Sequence, residues 1–335
     1  MGLRSRLWRD GRVVSEDVAL DELRRHLAEE SSLVWLDLCL AGEVHPDTLA
    51  GLADELGLDR HAVEDAVAPG ERPKTSRHGG HTFVTVYATA LPGEPAGGHE
   101  SRLVTSRVSA FVLPRGLVTV RRDDRFAMGQ VLRRWDDDPE LVQGGVAGLL
   151  HGLLDVVVDG HFETIQQLDD AIEELEDVLF AESPQPAQVQ RSSYRMRKEL
   201  VELRRVVLPM REVVSSLMRQ PDLRGPHDPS ALGGHYEDLY DHVLRAGEWT
   251  ESLRDMVTSV FETNLSLQDA RLNTVMKKLA GWAAVIAVPT AITGWYGQNV
   301  PYPGFNSSGG LHQSVLLILL ATVGLYLFLR HKDWI

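Results

Sequence analysis

Polar, uncharged side chains towards the end of the sequence have types and spacing that could bind a hydrated cation. Asn264, Asn273, Thr290 and Asn299 fall at spacings compatible with one face of a path, and Asn299 closes the polar run 296–299. Amide and hydroxyl oxygens suit a hard ion such as Mg²⁺, because they can bind its water shell without stripping it. The alternative for a single asparagine is a helix cap or an inter-helix hydrogen bond. Several on one face favour an ion path.

The polar run lies between two apolar segments. Residues 279–329 contain no Asp, Glu, Lys or Arg, and the stretches 279–297 and 311–329 are each long enough to cross a hydrocarbon core of about 30 Å as a helix. Lys and Arg flank these stretches, whereas the loop 298–310 has neither. The positive-inside bias therefore predicts that both chain ends face the cytoplasm, in a cell inner membrane. The alternative is a buried core hairpin of a soluble protein, although such helices seldom run this long without charge.

The rest of the chain has the composition of a large soluble domain. The 335 residues carry a formal net charge of −14, which disfavours nucleic acid as a partner and suits a protein that attracts cations. The first ten residues lack the apolar core of a secretory signal peptide. Cys39 is the only cysteine, so no intrachain disulfide is expected, as in a reducing compartment. We interpret it as a small apolar residue of a strand.

Periodicity divides the chain into a mixed α/β part and a helical part. Apolar runs with Gly and Pro punctuation predict strands at residues 33–38, 83–91, 103–113 and 117–121. Helical spacing predicts short helices at residues 47–56 and 61–67. From about Pro139 the strand signal ends. Long helices are then predicted at 141–180 and 187–219, followed by a polar linker to Gly234.

The last helical pattern starts near His235 and continues into the first apolar segment. A helix from Tyr236 to Tyr296 would be about 90 Å long, too long to pack inside one compact domain, so it predicts a stalk that enters the membrane. Its stripe predicts packing against copies of itself; the stripe consists of Leu253, Val257, Val260, Asn264 and Leu267. Because two spans cannot enclose a pore alone, a channel would have to be a homo-oligomer.

Three runs of residues together carry a family resemblance. The first consists of residues 271–279, Pro289-Thr290 and the run 294–299, which ends Tyr-Gly-Gln-Asn. The second consists of residues 61–65 and Arg72-Pro73-Lys74. The third is the run 236–242. They resemble the stalk and pore signature, the acidic motif and the stalk-helix start of the CorA family of divalent cation channels, whose usual loop motif is Tyr-Gly-Met-Asn. The resemblance covers nearly the whole chain, although residues 1–30 and 92–140 contribute little.

The resemblance implies an architecture. CorA proteins are homopentameric funnels with an α+β cytoplasmic domain of αβα type, a long stalk helix that becomes the pore-lining first span, and an outer second span. The implied boundaries are a cytoplasmic α/β domain 1–138, long cytoplasmic helices 139–234, a stalk 235–278, a first span 279–297, an outer loop 298–310, a second span 311–330 and a cytoplasmic tail 331–335.

The resemblance also implies site residues. Those along the pore would be Asn273, Met276, Leu279, Thr290, Gly294, Tyr296, Gly297, Gln298 and Asn299. Asn299 would bind the hydrated cation at the outer mouth, while Met276 and Leu279 would form an apolar constriction that can dewet. Asp65 would face Asp238 of a neighbouring subunit and hold regulatory cytoplasmic Mg²⁺ between them, so that falling Mg²⁺ would loosen the interface and open the pore. The alternative is that both aspartates are solvated surface residues that bind no ion.

Two departures from the family pattern bear on the ion. Gln298 stands where a methionine is usual, and the loop 300–306 lacks the acidic residue that often follows the motif. Mg²⁺, with Co²⁺ and Ni²⁺ as further candidates, is the expected ion, and a zinc transporter of the ZntB type is the alternative. Zn²⁺ prefers imidazole. The pairs His78/His81 and His235/His242 lie off the pore stripe, and we interpret them as surface histidines.

A membrane-tethered sensor or scaffold without transport is a further alternative. A scaffold has no need of Asn273, Thr290 and Asn299 on one face, which is the feature that distinguishes the two. An enzyme is disfavoured, because the sequence has no phosphate-cradling loop, no Gly-x-Ser-x-Gly and no His-Glu-x-x-His.

Overall fold

A computed structural model describes residues 2–41, 46–93, 101–181, 185–220, 229–298, 301, 303–305 and 307–335. The chain divides into two compact units, one ending at Val260 and the other beginning at Phe261. The two units are described separately below.

The first unit is built on a seven-stranded sheet. Its strands are β1 (Leu3–Arg9), β2 (Arg12–Glu16), β3 (Ser32–Cys39), β4 (Lys74–His78), β5 (His81–Ala90), β6 (Val104–Leu113) and β7 (Gly116–Arg121). They lie in the order β2-β1-β3-β7-β6-β5-β4. Only β3 and β7 pair in parallel, and every other neighbouring pair is antiparallel. The four strands predicted from the sequence are confirmed as β3, β5, β6 and β7.

Helices cover both faces of this sheet, because alternate residues of its central strands are apolar on both sides. Leu33 and Trp35 of β3 belong to a core formed with α4 (Met128–Asp137), α6 (Val146–Phe180) and α8 (Met210–Met218). Val34 and Leu36 belong to the opposite core, with α1 (Leu20–Ala28), α2 (Pro46–Leu56) and α3 (Arg60–Val67). The predicted αβα architecture is confirmed.

A buried ion pair joins the two parallel strands. The guanidinium of Arg121 on β7 lies 2.6 Å from the carboxylate of Asp37 on β3, and both side chains are buried. Burial alone would lower the pKa of Arg121, but the hydrogen bonds and charge of Asp37 outweigh it, so that pKa is raised. The Arg121 guanidinium therefore remains charged inside the fold.

Two long helices predicted from the sequence are each broken. The predicted helix 141–180 consists of α5 (Pro139–Gln143) and α6, separated at Gly145, whose φ of 69° is favourable only for glycine. The predicted helix 187–219 consists of α7 (Pro186–Val207) and α8, separated at Pro209, which lacks the N–H that a continuous helix requires.

The last two helices are the long apolar ones. Helix α9 (Pro229–Tyr296) begins before the predicted start at His235, and α10 (Ser308–His331) follows. Part of the apolar stripe expected on α9 is buried by contacts within the same chain. Leu253, Val257 and Val260 are at most 3% exposed in a single copy. The expectation that these three pack against other copies is therefore wrong, because the chain's own first unit already buries them.

Candidate cation pathway

One side of α9 is covered within the second unit. Gly281 and Val285 are buried, and Pro289, Ile292 and Tyr296 are half-buried. At about 100° per residue these positions share one side of a helix. Contacts from α10 and the residues after it reach this part of α9: the rings of Trp282 and Tyr326 lie 6.3 Å apart. This side of α9 therefore faces the second apolar helix.

The opposite side of α9 carries three of the predicted pore residues. Met276, Ala283, Ala287, Thr290 and Gly294 are all exposed, and they lie within about 60° of one another around an ideal helix. Small side chains predominate towards the C-terminal end of this row. We refer to these five residues as the open face of α9. It is left uncovered by the chain itself.

The remaining helical pore candidates divide between the two sides. Asn273 and Leu279 are exposed and lie at the margins of the open face, each about 60° from Met276. Tyr296 is half-buried and lies about 200° round the helix from Gly294. The structure therefore does not bring Tyr296 together with the other predicted pore residues on the open face.

Thr290 presents an oxygen with acceptor character on the open face. Its hydroxyl donates a hydrogen bond to the Ile286 carbonyl, with an O···O distance of 3.0 Å. Because its proton is engaged in this way, the remaining lone pairs can only accept. Water molecules bound to a cation point their hydrogens outwards, so an acceptor on the wall is the complementary group. The preceding Pro289 has no N–H for the helix ladder.

The predicted mouth of the path follows directly after α9. The Gly297 N–H donates to the Thr293 carbonyl at 2.9 Å, and the Gln298 N–H reaches the Trp295 carbonyl at 3.4 Å. Gly297 and Gln298 are both exposed. Asn299, the residue expected to bind the hydrated cation, lies outside the described residues.

The two predicted regulatory aspartates have different surroundings. Asp65, on α3, accepts a hydrogen bond from the Lys74 ammonium at 2.7 Å. The same ammonium lies 2.6 Å from Glu71; burial lowers the pKa of Lys74, but these two carboxylates raise it by more. Asp238, on α9, has a side chain that is 70% exposed, and its carboxylate lies 3.9 Å from the ring of His242. In this one chain the two aspartates therefore lie against different partners, Lys74 and His242.

Asp238 also lines an acidic cleft that sequence reasoning missed. The cleft has a volume of about 570 Å³, and its lining includes Asp155 and Asp159 of α6. Burial raises the pKa of both carboxyl groups, against the nearby charge of Arg134, which pairs with both. The spacing of Asp155 and Asp159 by one helical turn was the available signal. Among the described residues no three His, Cys, Asp or Glu side chains lie close enough to hold a metal ion.

The histidines considered for zinc are less exposed than expected. His81 is 6% exposed, and its ring stacks on that of His78 at 5.2 Å. His235 and His242 are half-buried and line the acidic cleft. The interpretation as surface histidines is therefore wrong for His81, because β5 turns its side chain into the fold. None of the four lies in the stretch of α9 that carries the open face.

Comparisons with known proteins identify the family. The family described as "CorA-like Mg2+ transporter protein" matches residues 30–331. This chain belongs to the CorA family. A CorA relative, the cobalt/magnesium transport protein of Thermotoga maritima, is 31% identical over 314 residues, which are 92% of this chain and 85% of that protein. The zinc transport protein ZntB of Yersinia enterocolitica is 26% identical over 311 residues, 90% of this chain and 88% of that protein.

A solved CorA structure has the same fold. The complete CorA magnesium transporter of Methanocaldococcus jannaschii superposes with a TM-score of 0.75 at 21% identity, over 100% of this chain and 99% of that one. Among the described residues, two helices, α9 and α10, are long and apolar enough to cross a membrane. As a CorA member the protein is a membrane-embedded divalent cation transporter rather than an enzyme.

Proposed function

We propose that this CorA protein is a homopentameric channel that passes Mg²⁺, with Co²⁺ and Ni²⁺ as further ions, through a pore lined by the open face of α9. The observation that carries the proposal is the side of α9 that the chain leaves uncovered. It bears Thr290 as an acceptor, small residues on either side of it, and Met276 at one end. Five copies around an axis would turn this face inwards and enclose a polar path, which a two-span subunit cannot do alone.

The chemistry of this face favours an ion that keeps its water. Residues 273–298 contain no His and no Cys, the side chains that zinc prefers. Hydroxyl and amide oxygens suit hydrated Mg²⁺ instead. The relationship to ZntB keeps zinc transport as the second candidate. In either case residues 279–297 would form the pore-lining span, 298–310 the outer loop and 311–330 the second span, with both chain ends in the cytoplasm.

Asn299 provides the test of the pore. Asn299→Ala is expected to abolish Mg²⁺ uptake into proteoliposomes while the oligomer, measured by size-exclusion chromatography with light scattering, stays intact. Asn306→Ala, in the same loop but outside the Tyr-Gly-Gln-Asn motif, is the matched control and should conduct normally. Unchanged Mg²⁺ uptake by the Asn299 variant would contradict the assignment of Asn299 to the mouth of the pore.

Regulation is proposed to reside in Asp65 and Asp238 of adjacent subunits, with Mg²⁺ between them. Two carboxylates repel each other without the ion, so its loss would loosen the interface and open the pore. Asp238→Lys is expected to weaken the protection that Mg²⁺ gives the stalk against protease. Equal cleavage of the parent protein with and without Mg²⁺ would rule this sensor out.

A further inference from the structure

The chain reverses direction immediately after α10. Asp333 has a φ of 56°, its N–H donates to the Arg330 carbonyl at 3.2 Å, and the Trp334 N–H donates to the Leu329 carbonyl at 3.0 Å. These two bonds and the left-handed residue between them form a Schellman motif, a rigid way to end a helix. Leu329, whose side chain such a motif usually covers, is buried.

The reversed segment ends against Gly281 of α9. A Cβ atom at position 281 would lie 2.9 Å from Cγ1 of Ile335 and 3.1 Å from the carbonyl oxygen of Trp334. A side chain there would require this segment or α9 to shift, so the present close contact depends on glycine. Gly281 is accordingly buried although its helix is mostly exposed in this region.

This contact lies behind the residues proposed to close the pore. Gly281 follows Leu279 by two positions, which places it about 200° round the helix from the Leu279 side chain. If Met276 and Leu279 form the constriction, widening it moves this turn of α9 away from the pore axis. That movement is directed towards the Trp334–Ile335 segment.

We propose that Trp334 and Ile335 brace α9 at Gly281 and hold the constriction narrow; this inference rests on the proposed function. The brace and α10 are joined by the two hydrogen bonds of the Schellman motif, so α9 cannot move outwards at this level without displacing a fixed segment. Gly281, Trp334 and Ile335 act through Met276 and Leu279 and are positioning residues. Weakening the contact lowers the free-energy cost of widening the constriction. It therefore raises Mg²⁺ flux under conditions in which bound Mg²⁺ holds the channel closed.

The test measures Mg²⁺ flux in proteoliposomes at an inhibitory internal Mg²⁺ concentration. Ile335→Ala removes the contacting Cγ1 atom and is expected to raise this flux about 5-fold, the lower end of ordinary coupling between sites. Leu327→Ala, an exposed position on α10, is the control and should leave flux unchanged. Gly281→Ala adds a methyl against this fixed segment, which pushes α9 towards the pore axis, and should lower flux. It replaces Ile335→Ala in the test if that variant does not assemble.

The double variant tests the contact itself. Because Ile335→Ala removes the atom that Gly281→Ala would meet, the second substitution should add little to the first, both in flux and in the thermal stability of the oligomer in detergent. Additive effects would overturn the brace. So would normal flux in the parent with unchanged flux in both single variants. A parent protein that passes no divalent cation would instead overturn the proposed function, and the brace with it.

Discussion

The ammonium of Lys74 lies 2.7 Å from the carboxylate of Asp65, the residue proposed to hold the regulatory ion. The Asp65 carboxylate is therefore already paired with a cation of the chain itself. The same ammonium also pairs with Glu71. A divalent ion that binds here has to compete with Lys74 or displace it. The affinity of the proposed sensor would then be set by this lysine as well as by the aspartates.

Replacing Lys74 by methionine should let Mg²⁺ inhibit flux at a lower concentration. Lys74→Met leaves two neighbouring carboxylates without their cation, which strengthens the attraction for Mg²⁺. The concentration of internal Mg²⁺ that halves flux should fall about 5-fold. Lys198→Met, at an exposed position of α7, is the matched control. An unchanged or higher half-inhibiting concentration in the Lys74 variant would contradict a regulatory ion at Asp65.

Two adjacent alanines of α9 should differ in their access to the pore. Ala283 belongs to the open face, whereas Ala284 is half-buried and lies about 100° further round the helix. The only natural cysteine, Cys39, is buried, so an introduced cysteine can be labelled against a low background. A charged methanethiosulfonate reagent should block most Mg²⁺ flux through Ala283→Cys and little through Ala284→Cys. Equal block, or block only at 284, would place the pore on another side of α9.

Acid should destabilise the first unit through a buried histidine. His161 on α6 is buried, and Nε2 of its ring lies 2.7 Å from the Tyr87 carbonyl oxygen. Burial lowers its pKa to about 4. The unfolded chain, with an ordinary histidine pKa of about 6.5, binds the proton more readily between these values, so stability is lost as pH falls from about 6.5 towards 4.

Replacing His161 measures this contribution. His161→Gln should lower the thermal unfolding midpoint at pH 7, because the packing changes, and should flatten its decline below about pH 6.5. His151, whose pKa burial also lowers to about 4, keeps part of the decline. His61→Gln, at a side chain that is 86% exposed, should retain the full decline. An equally steep decline in the His161 variant would show that this histidine is not the cause.

The sequence predicted those elements whose pattern is local. Apolar runs indicated β3 and β5 to β7, and the charge-free region indicated both apolar helices. β1 was missed because arginines interrupt it; Arg6 is nevertheless buried, since Glu16 and Asp136 lie 2.6 Å from its guanidinium. β2 and β4 were missed because they have few buried side chains. A pattern of polar and apolar residues does not reveal a charge that is neutralised by a distant partner.

The candidate site, like the fold, could be predicted only in part from the sequence. The family resemblance placed Met276, Thr290 and Gly294 along the pore, and the structure leaves their side of α9 exposed. Tyr296 was assigned by motif alone, and its position round the helix separates it from the others. The acidic cleft was missed because it joins Asp155 to Asp238, residues of two helices that are distant in sequence. The contact of Gly281 with Ile335 was missed for the same reason.

The central proposal is that this CorA protein is a channel for hydrated Mg²⁺. The most direct measurement is initial flux of Mg²⁺ and of Zn²⁺ into proteoliposomes containing the full-length protein, with and without a proton gradient. The account predicts that Mg²⁺ flux exceeds Zn²⁺ flux and is unchanged when the proton gradient is collapsed. Zn²⁺ flux that exceeds Mg²⁺ flux and depends on the proton gradient would contradict it and favour zinc transport.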